Sequence, residues 1–152
     1  MAIDTLLLAV GPGDQDRIEQ LAETVVEVAV PTDASVDLVH VFDPDDFDDI
    51  RERLADSGES GTDLDADQVA RRYSTVRELE RRIESDDVPV SIHGFSGEDA
   101  SDHVVELAER GDADRVVVGG RKRSPSGKVI FGSTAQEILL SSPCPVTFVR
   151  ST

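Results

Sequence analysis

The chain is poor in several residue types, and each shortage narrows what it can be. Cys144 is the single cysteine, which excludes an intramolecular disulfide and a cysteine-based metal cluster within one chain. It reads most simply as a small core hydrophobe. Tryptophan is absent, and Tyr73 with five scattered phenylalanines offers no stacking platform for single-stranded nucleic acid. No apolar run approaches the roughly 20 residues of a membrane span, and the start MAIDTLLLAV has neither a basic leader nor a small-residue cleavage site. Those absences predict a soluble, cytoplasmic protein. Lysine occurs only at 122 and 128, and 15 Lys and Arg stand against 32 Asp and Glu, for a net charge of −17. Such a field repels polyanions and argues against general affinity for DNA, RNA or anionic membranes. Any anion that binds must meet a local exception. The predominance of Asp fits a high-salt cytoplasm, where screening over a few ångströms makes dense surface carboxylate tolerable.

What is present is strong apolar periodicity, which disfavours a disordered acidic chain. The 152 residues suit one domain, 1–152, with a single core. Thr5 to Val10 is a continuous apolar run closed by Gly11-Pro12-Gly13, the pattern of a parallel strand buried on both faces. From Asp14 the spacing turns helical, with Ile18, Leu21, Ala22, Val25, Val28 and Ala29 on one stripe that Pro31 is expected to stop. Val36 to Val41 makes a second strand. Residues 43–62 are acidic and Gly/Ser-containing, and they read as a partly mobile excursion with a short helix around Phe47, Ile50 and Leu54. Val69, Tyr73, Val76, Leu79 and Ile83 predict one long charged helix, and Val88 to His93 a third strand with Pro89 marking a sheet edge. Ser96 is placed to cap a helix that ends at Gly111. Arg115 to Gly119 is the fourth strand, Ser133 to Gln136 reads as a capping box for a short helix, and Val146 to Val149 is the last strand. Five strands alternating with four main helices predict an α/β, doubly wound, open parallel sheet with helices on both faces. Ligands of such sheets bind beyond the carboxyl ends of the strands, where the winding reverses.

The local exception to the acidic field is Arg115 to Gln136, the longest stretch without an Asp or Glu. An apolar strand ends there on Gly119 and Gly120. Arg121, Lys122, Arg123 and Lys128 follow on one loop, and Gly132-Ser133-Thr134 opens a helix with free amides. Strand, glycine turn, cationic loop and helix start are the parts of a phosphate cradle. The plainer reading is a solvated loop whose cations pair with nearby acids, each pair worth little at a surface. Agreement of charge, backbone donors and place in the sheet favours anion binding.

Other motifs are weaker. Gly11-Pro12-Gly13-Asp14-Gln15-Asp16 begins like a dinucleotide fingerprint but puts Asp16 at the third glycine, so a strand-to-helix turn is the better reading. Gly120 to Lys128 fails the Walker pattern, with Lys122 at the first glycine's place and Val129 where a magnesium-holding hydroxyl should be. His40, His93 and His103 have no ligand partner nearby in sequence and read as structural. Ser133 has no identifiable base beside it, so nothing marks it as a nucleophile.

Val118-Gly119-Gly120-Arg121-Lys122-Arg123-Ser124-Pro125 with Gly132-Ser133 resembles the C-terminal nucleotide motif of the universal stress protein family, G-x2-G-x9-G-[ST]. Gly119, Gly132 and Ser133 match it at the family's spacing, and Lys122 replaces the middle glycine. The likeness extends along the chain, through Leu38-Val39-His40-Val41 and the closing Pro143-Cys144-Pro145-Val146-Thr147-Phe148-Val149. What it implies is strand order 3-2-1-4-5, dimerisation through the last strand and, in one subgroup, ATP with its phosphates in this loop and adenine at the backbone of Val41. The family's usual Asp after the first strand is Gly11 here, with Asp14 nearby as a substitute.

The first expectation is therefore a non-enzymatic homodimer, paired through Val146–Val149, that binds ATP (with Mg) or a related adenine nucleotide and signals by ligand state. Its site residues would be Val41, Gly119, Lys122, Arg123, Gly132, Ser133 and Thr134, the two cations neutralising phosphate. The alternative is a nucleotide-free member acting as a protein-interaction scaffold through the basic loop. Slow ATP hydrolysis is a third reading, for which no positioned water or metal is legible.

Overall fold

The first apolar run lies at the centre of a parallel sheet in the computed structural model, which describes residues 3–56, 64–120 and 132–150. The elements are β1 (Thr5–Val10), a 3-10 turn (Asp14–Asp16), α1 (Ile18–Thr32), β2 (Ser35–Phe42), α2 (Pro44–Asp56), α3 (Ala66–Arg72), α4 (Ser74–Glu84), β3 (Val90–Ser96), α5 (Ala100–Arg110), β4 (Arg115–Gly120), α6 (Ser133–Ser141) and β5 (Val146–Arg150). The order is β3-β2-β1-β4-β5, with every pairing parallel. This is the doubly wound sheet that the alternation of strands and helices predicts, in the order the family resemblance implies.

Alternation along β1 explains its unbroken apolarity. Leu6, Leu8 and Val10 join one core layer with Leu21, Val25 and Ala29 of α1 and Leu79 and Ile83 of α4. Leu7 and Ala9 point the other way, into a layer with Val104, Leu107 and Ala108 of α5 and Ile138 of α6. Leu8 pairs with Leu38 on one side and Val117 on the other, and all three are sealed from solvent. Each such leucine contributes about 1.5–3 kcal/mol by burial.

Several local expectations are corrected. Pro31 does not stop α1, which continues to Thr32, because in the last turn the proline deprives only the Glu27 carbonyl of its partner. Termination comes from Asp33, whose left-handed backbone (φ 58°) sends its N–H back to Ala29 and Val30. The acidic segment after β2 is helical from Pro44 to Asp56. Asp43 accepts the Asp45 N–H at 3.0 Å, Asp45 and Asp46 favour the positive end of the dipole, and Phe47 and Ile50 pack on the core. Residues 57–62 of that excursion lie outside the described residues.

The single helix expected over 69–83 is two helices, broken at the extended backbone of Tyr73 (φ −71°, ψ 128°). The break lets α3 lie along the sheet edge, where Asp67 Oδ1 accepts the Gly94 N–H at 2.7 Å. It also stacks the Tyr73 ring on His40, with centroids 4.7 Å apart. The third strand runs past His93 to Ser96, which pairs with Phe42. Ser96 is therefore not the cap of α5; Asp99 occupies that place without a side-chain bond.

Candidate functional site

β1 has β2 on one side and β4 on the other, so the chain leaves its two central strands in opposite directions and a crevice opens beyond their carboxyl ends. The cavity there is about 490 Å³. Its rim is backbone-rich: Gly11, Pro12 and Gly13 after β1, Gly119 and Gly120 at the end of β4, and Gly132, Ser133 and Thr134 at the start of α6. Its inner wall is apolar, formed by Ala9, Val39, Val104 and Ile138.

Of the residues singled out in the sequence, Val41, Gly119, Gly132, Ser133 and Thr134 all line this cavity. Lys122 and Arg123, with Arg121 and Lys128, lie outside the described residues. The capping box at Ser133 does not form: Gly132 is the cap residue, its carbonyl accepting the Gln136 N–H at 3.0 Å, and no side chain closes the helix start. Ser133 is instead the first helical residue, exposed at the cavity. Its hydroxyl and the leading amides of α6 have no intrahelical obligation and are available to an anion.

Two residues that sequence reasoning passed over or underrated shape the floor. Asp14 is 2% exposed, and its Oδ2 accepts the Gly11 N–H at 2.6 Å while the Gly11 carbonyl accepts the Asp14 N–H at 3.1 Å. Its Oδ1 accepts from Arg17 Nε, also at 2.6 Å. Asp14 does lie where a substitute for the missing residue-11 carboxylate would be, with Oδ2 3.7 Å from a Cβ built on Gly11. Both its oxygens are spent inward, however, on a backbone amide and a guanidinium. In sequence an Asp and an Arg three apart at a helix start read as a weak surface pair; the turn after β1 buries them.

Gly119 owes its lack of a side chain to this pair. A Cβ there would fall 2.7 Å from Asp14 Oδ1, 2.8 Å from Arg17 Nε and 3.0 Å from Arg17 Cδ. Gly132 is the opposite case: among the described residues no atom lies within 4 Å of its added Cβ. Packing explains the first glycine of the motif; nothing among the described residues packs against the last.

His40 ties the second strand to the end of the first. Its Nδ1–H donates to the Val10 carbonyl at 2.7 Å, and the ring stacks on Tyr73 and meets Phe42 edge-on at 4.4 Å. Burial pushes its pKa down, against the raising effects of the Val10 bond and the Asp14 charge. His40 is thus a neutral structural imidazole. His93 bonds Asp37 Oδ1 at 3.1 Å, which raises its pKa despite partial burial. Among the described residues, no group of three or more His, Cys, Asp and Glu is placed to hold a metal ion, and no helix is long and apolar enough to cross a membrane.

A parallel sheet with its crevice at the switch point, rimmed by glycine turns and a helix start, defines a doubly wound protein built to hold a small ligand. The model of the universal stress protein family matches residues 2–150, and the chain belongs to that family. A universal stress protein of Mycolicibacterium smegmatis is 35% identical over 79 residues, which cover 52% of this chain and 61% of that protein. Many solved structures share the fold. A universal stress protein in complex with cAMP has a TM-score of 0.66 at 18% identity, covering 100% of both chains. A universal stress protein from Archaeoglobus fulgidus in complex with dAMP also has a TM-score of 0.66, at 19% identity, covering 99% of this chain and 100% of that one.

Proposed function

We propose that the cavity binds an adenine nucleotide, ATP included, and that the protein regulates by ligand state without turnover. The observation that carries this reading is the convergence on one cavity of Val41, the Gly119 backbone and the open start of α6 at Gly132–Thr134. An apolar inner wall suits a base, and amides with a hydroxyl suit phosphate. Related proteins solved with cAMP and dAMP support the choice of adenine. Lys122 and Arg123 would neutralise the phosphates, and magnesium would ride on the phosphate oxygens. Calorimetric titration of ATP, ADP and AMP, with and without magnesium in high salt, tests the reading; absence of heat with all three would sink it.

The same reading makes residues 1–152 one cytoplasmic domain that works as a homodimer through β5. Support comes from the outer strand Val146–Arg150, whose apolar side chains remain half-exposed, and from Leu140 on α6, which is 79% exposed. The scaffold alternative predicts capture of an acidic protein through Lys122 and Arg123 with no nucleotide effect.

A further inference from the structure

Arg17 is a cation built into the cavity that the family motif does not include. Its side chain is 9% exposed, and the bond from Nε to Asp14 is the one hydrogen bond it makes among the described residues. Neither terminal nitrogen is among the fully buried unpartnered atoms, and Arg17 lines the cavity. The guanidinium thus borders that space without being fully sealed from solvent. Arginine carries five N–H donors in a rigid fork that matches the paired oxygens of phosphate. Here one donor is committed to a carboxylate, and the others have no partner among the described residues.

The surroundings hold the fork in place. Asp14 is itself anchored by the Gly11 amide, so the carboxylate that holds Arg17 Nε is fixed in turn. Two glycines leave room for it: a Cβ at Gly13 would sit 3.2 Å from Nη2, and one at Gly119 would collide with Nε and Cδ. A hydrogen bond from a guanidinium to a charged acceptor contributes about 1.5–3 kcal/mol.

We propose that Arg17 binds a phosphate group of the ligand, oriented by Asp14 as its positioning residue. The inference deepens the nucleotide reading and rests on it for the identity of the ligand, although the chemistry it names is the phosphate alone. A buried arginine shielded by its own carboxylate also suits a protein of net charge −17, because the fork offers directional hydrogen bonds that bulk salt screens poorly.

The test is calorimetric titration of the full chain with adenosine, AMP and inorganic pyrophosphate, comparing wild type with R17Q and R17K. The expected result is that the preference for AMP over adenosine falls at least tenfold in R17Q, that pyrophosphate binding falls with it, and that R17K, which keeps the charge without the fork, recovers only part. An unchanged preference and unchanged pyrophosphate affinity in folded R17Q overturn the assignment while leaving nucleotide binding intact. Binding of pyrophosphate that depends on Arg17, with no binding of any adenine compound, sustains the assignment and removes the nucleotide reading. No binding of any probe by wild type overturns both. Should R17Q fail to fold, the same ratio is read on D14N/R17Q, which removes the pair together, and on R17K.

Discussion

Gly119 and Arg17 are packed so that the glycine cannot take a side chain while the arginine stays in place: the space a Gly119 side chain would fill is the space the guanidinium stem occupies, 2.8 Å from Nε. Gly119→Ala should therefore displace the Asp14–Arg17 pair and cost about 1–3 kcal/mol by overpacking. Chemical denaturation checks the loss, and a stability equal to wild type would show that the pair is free to move.

Gly132→Ala is the matched control for the motif. With no described residue near its Cβ and a backbone (φ −63°) that any residue adopts, the variant should stay within about 0.5 kcal/mol of wild type. If the Gly132 amide is approached closely by phosphate, AMP affinity should nevertheless fall. A variant that keeps both stability and affinity would remove Gly132 from the site.

Gly94→Ala should be among the most damaging single substitutions. An added Cβ would lie 2.0 Å from the Ala66 carbonyl oxygen and 2.9 Å from the Ala70 Cβ, so α3 must leave the edge of β3 and give up the Asp67 bond to the Gly94 amide. A loss above about 2 kcal/mol is expected, and hydrogen exchange should show deprotection spreading through residues 66–72.

The two structural histidines push stability against pH in opposite directions. His40 has a lowered folded pKa, so its contribution is present above about pH 6.5 and is lost as pH falls through the lowered value. His40→Phe, which keeps a ring against Tyr73, should cost about 1 kcal/mol near neutrality and flatten the acid-side decline. His93 has a raised folded pKa, so its bond to Asp37 contributes fully below about pH 6.5 and fades as pH rises through the raised value. In His93→Gln the difference from wild type should shrink with rising pH. Thermal melts across pH 5–9 read both slopes.

Leu140→Asp tests the proposed dimer. The side chain is 79% exposed, so the fold should be indifferent to the change, within about 0.5 kcal/mol. Light scattering at micromolar concentration should show a dimer in wild type and a monomer in the variant. A wild-type monomer would defeat the proposal outright.

How much of this was legible beforehand depended on the range of the interactions involved. The run Leu6 to Val10 announced a strand buried on both faces because period-two alternation with both sets apolar has no other economical solution. Gly119, Gly132 and Ser133 stood out as a glycine turn and a helix start, and through their resemblance to the family motif. Tyr73 did not announce a break, since both helices continue the same apolar stripe and its contacts with His40 and Phe42 are made across the fold. Pro31 and Ser133 misled for a local reason: each is a helix signal whose meaning changes with a shift of one or two residues in where the helix ends.

The sequence by itself determined the doubly wound class, a first strand buried on both faces and the acid-free segment that begins at β4, because these follow from periodicity, charge and glycine placement within short windows. Tertiary structure alone decided that Asp14 and Arg17, a surface-type pair by spacing, are buried beneath the cavity. It also decided that Gly119 is a glycine for their sake. That outcome needs β1 and β4 side by side, and strands 105 or more residues apart in the chain carry no local mark of which neighbour each will meet.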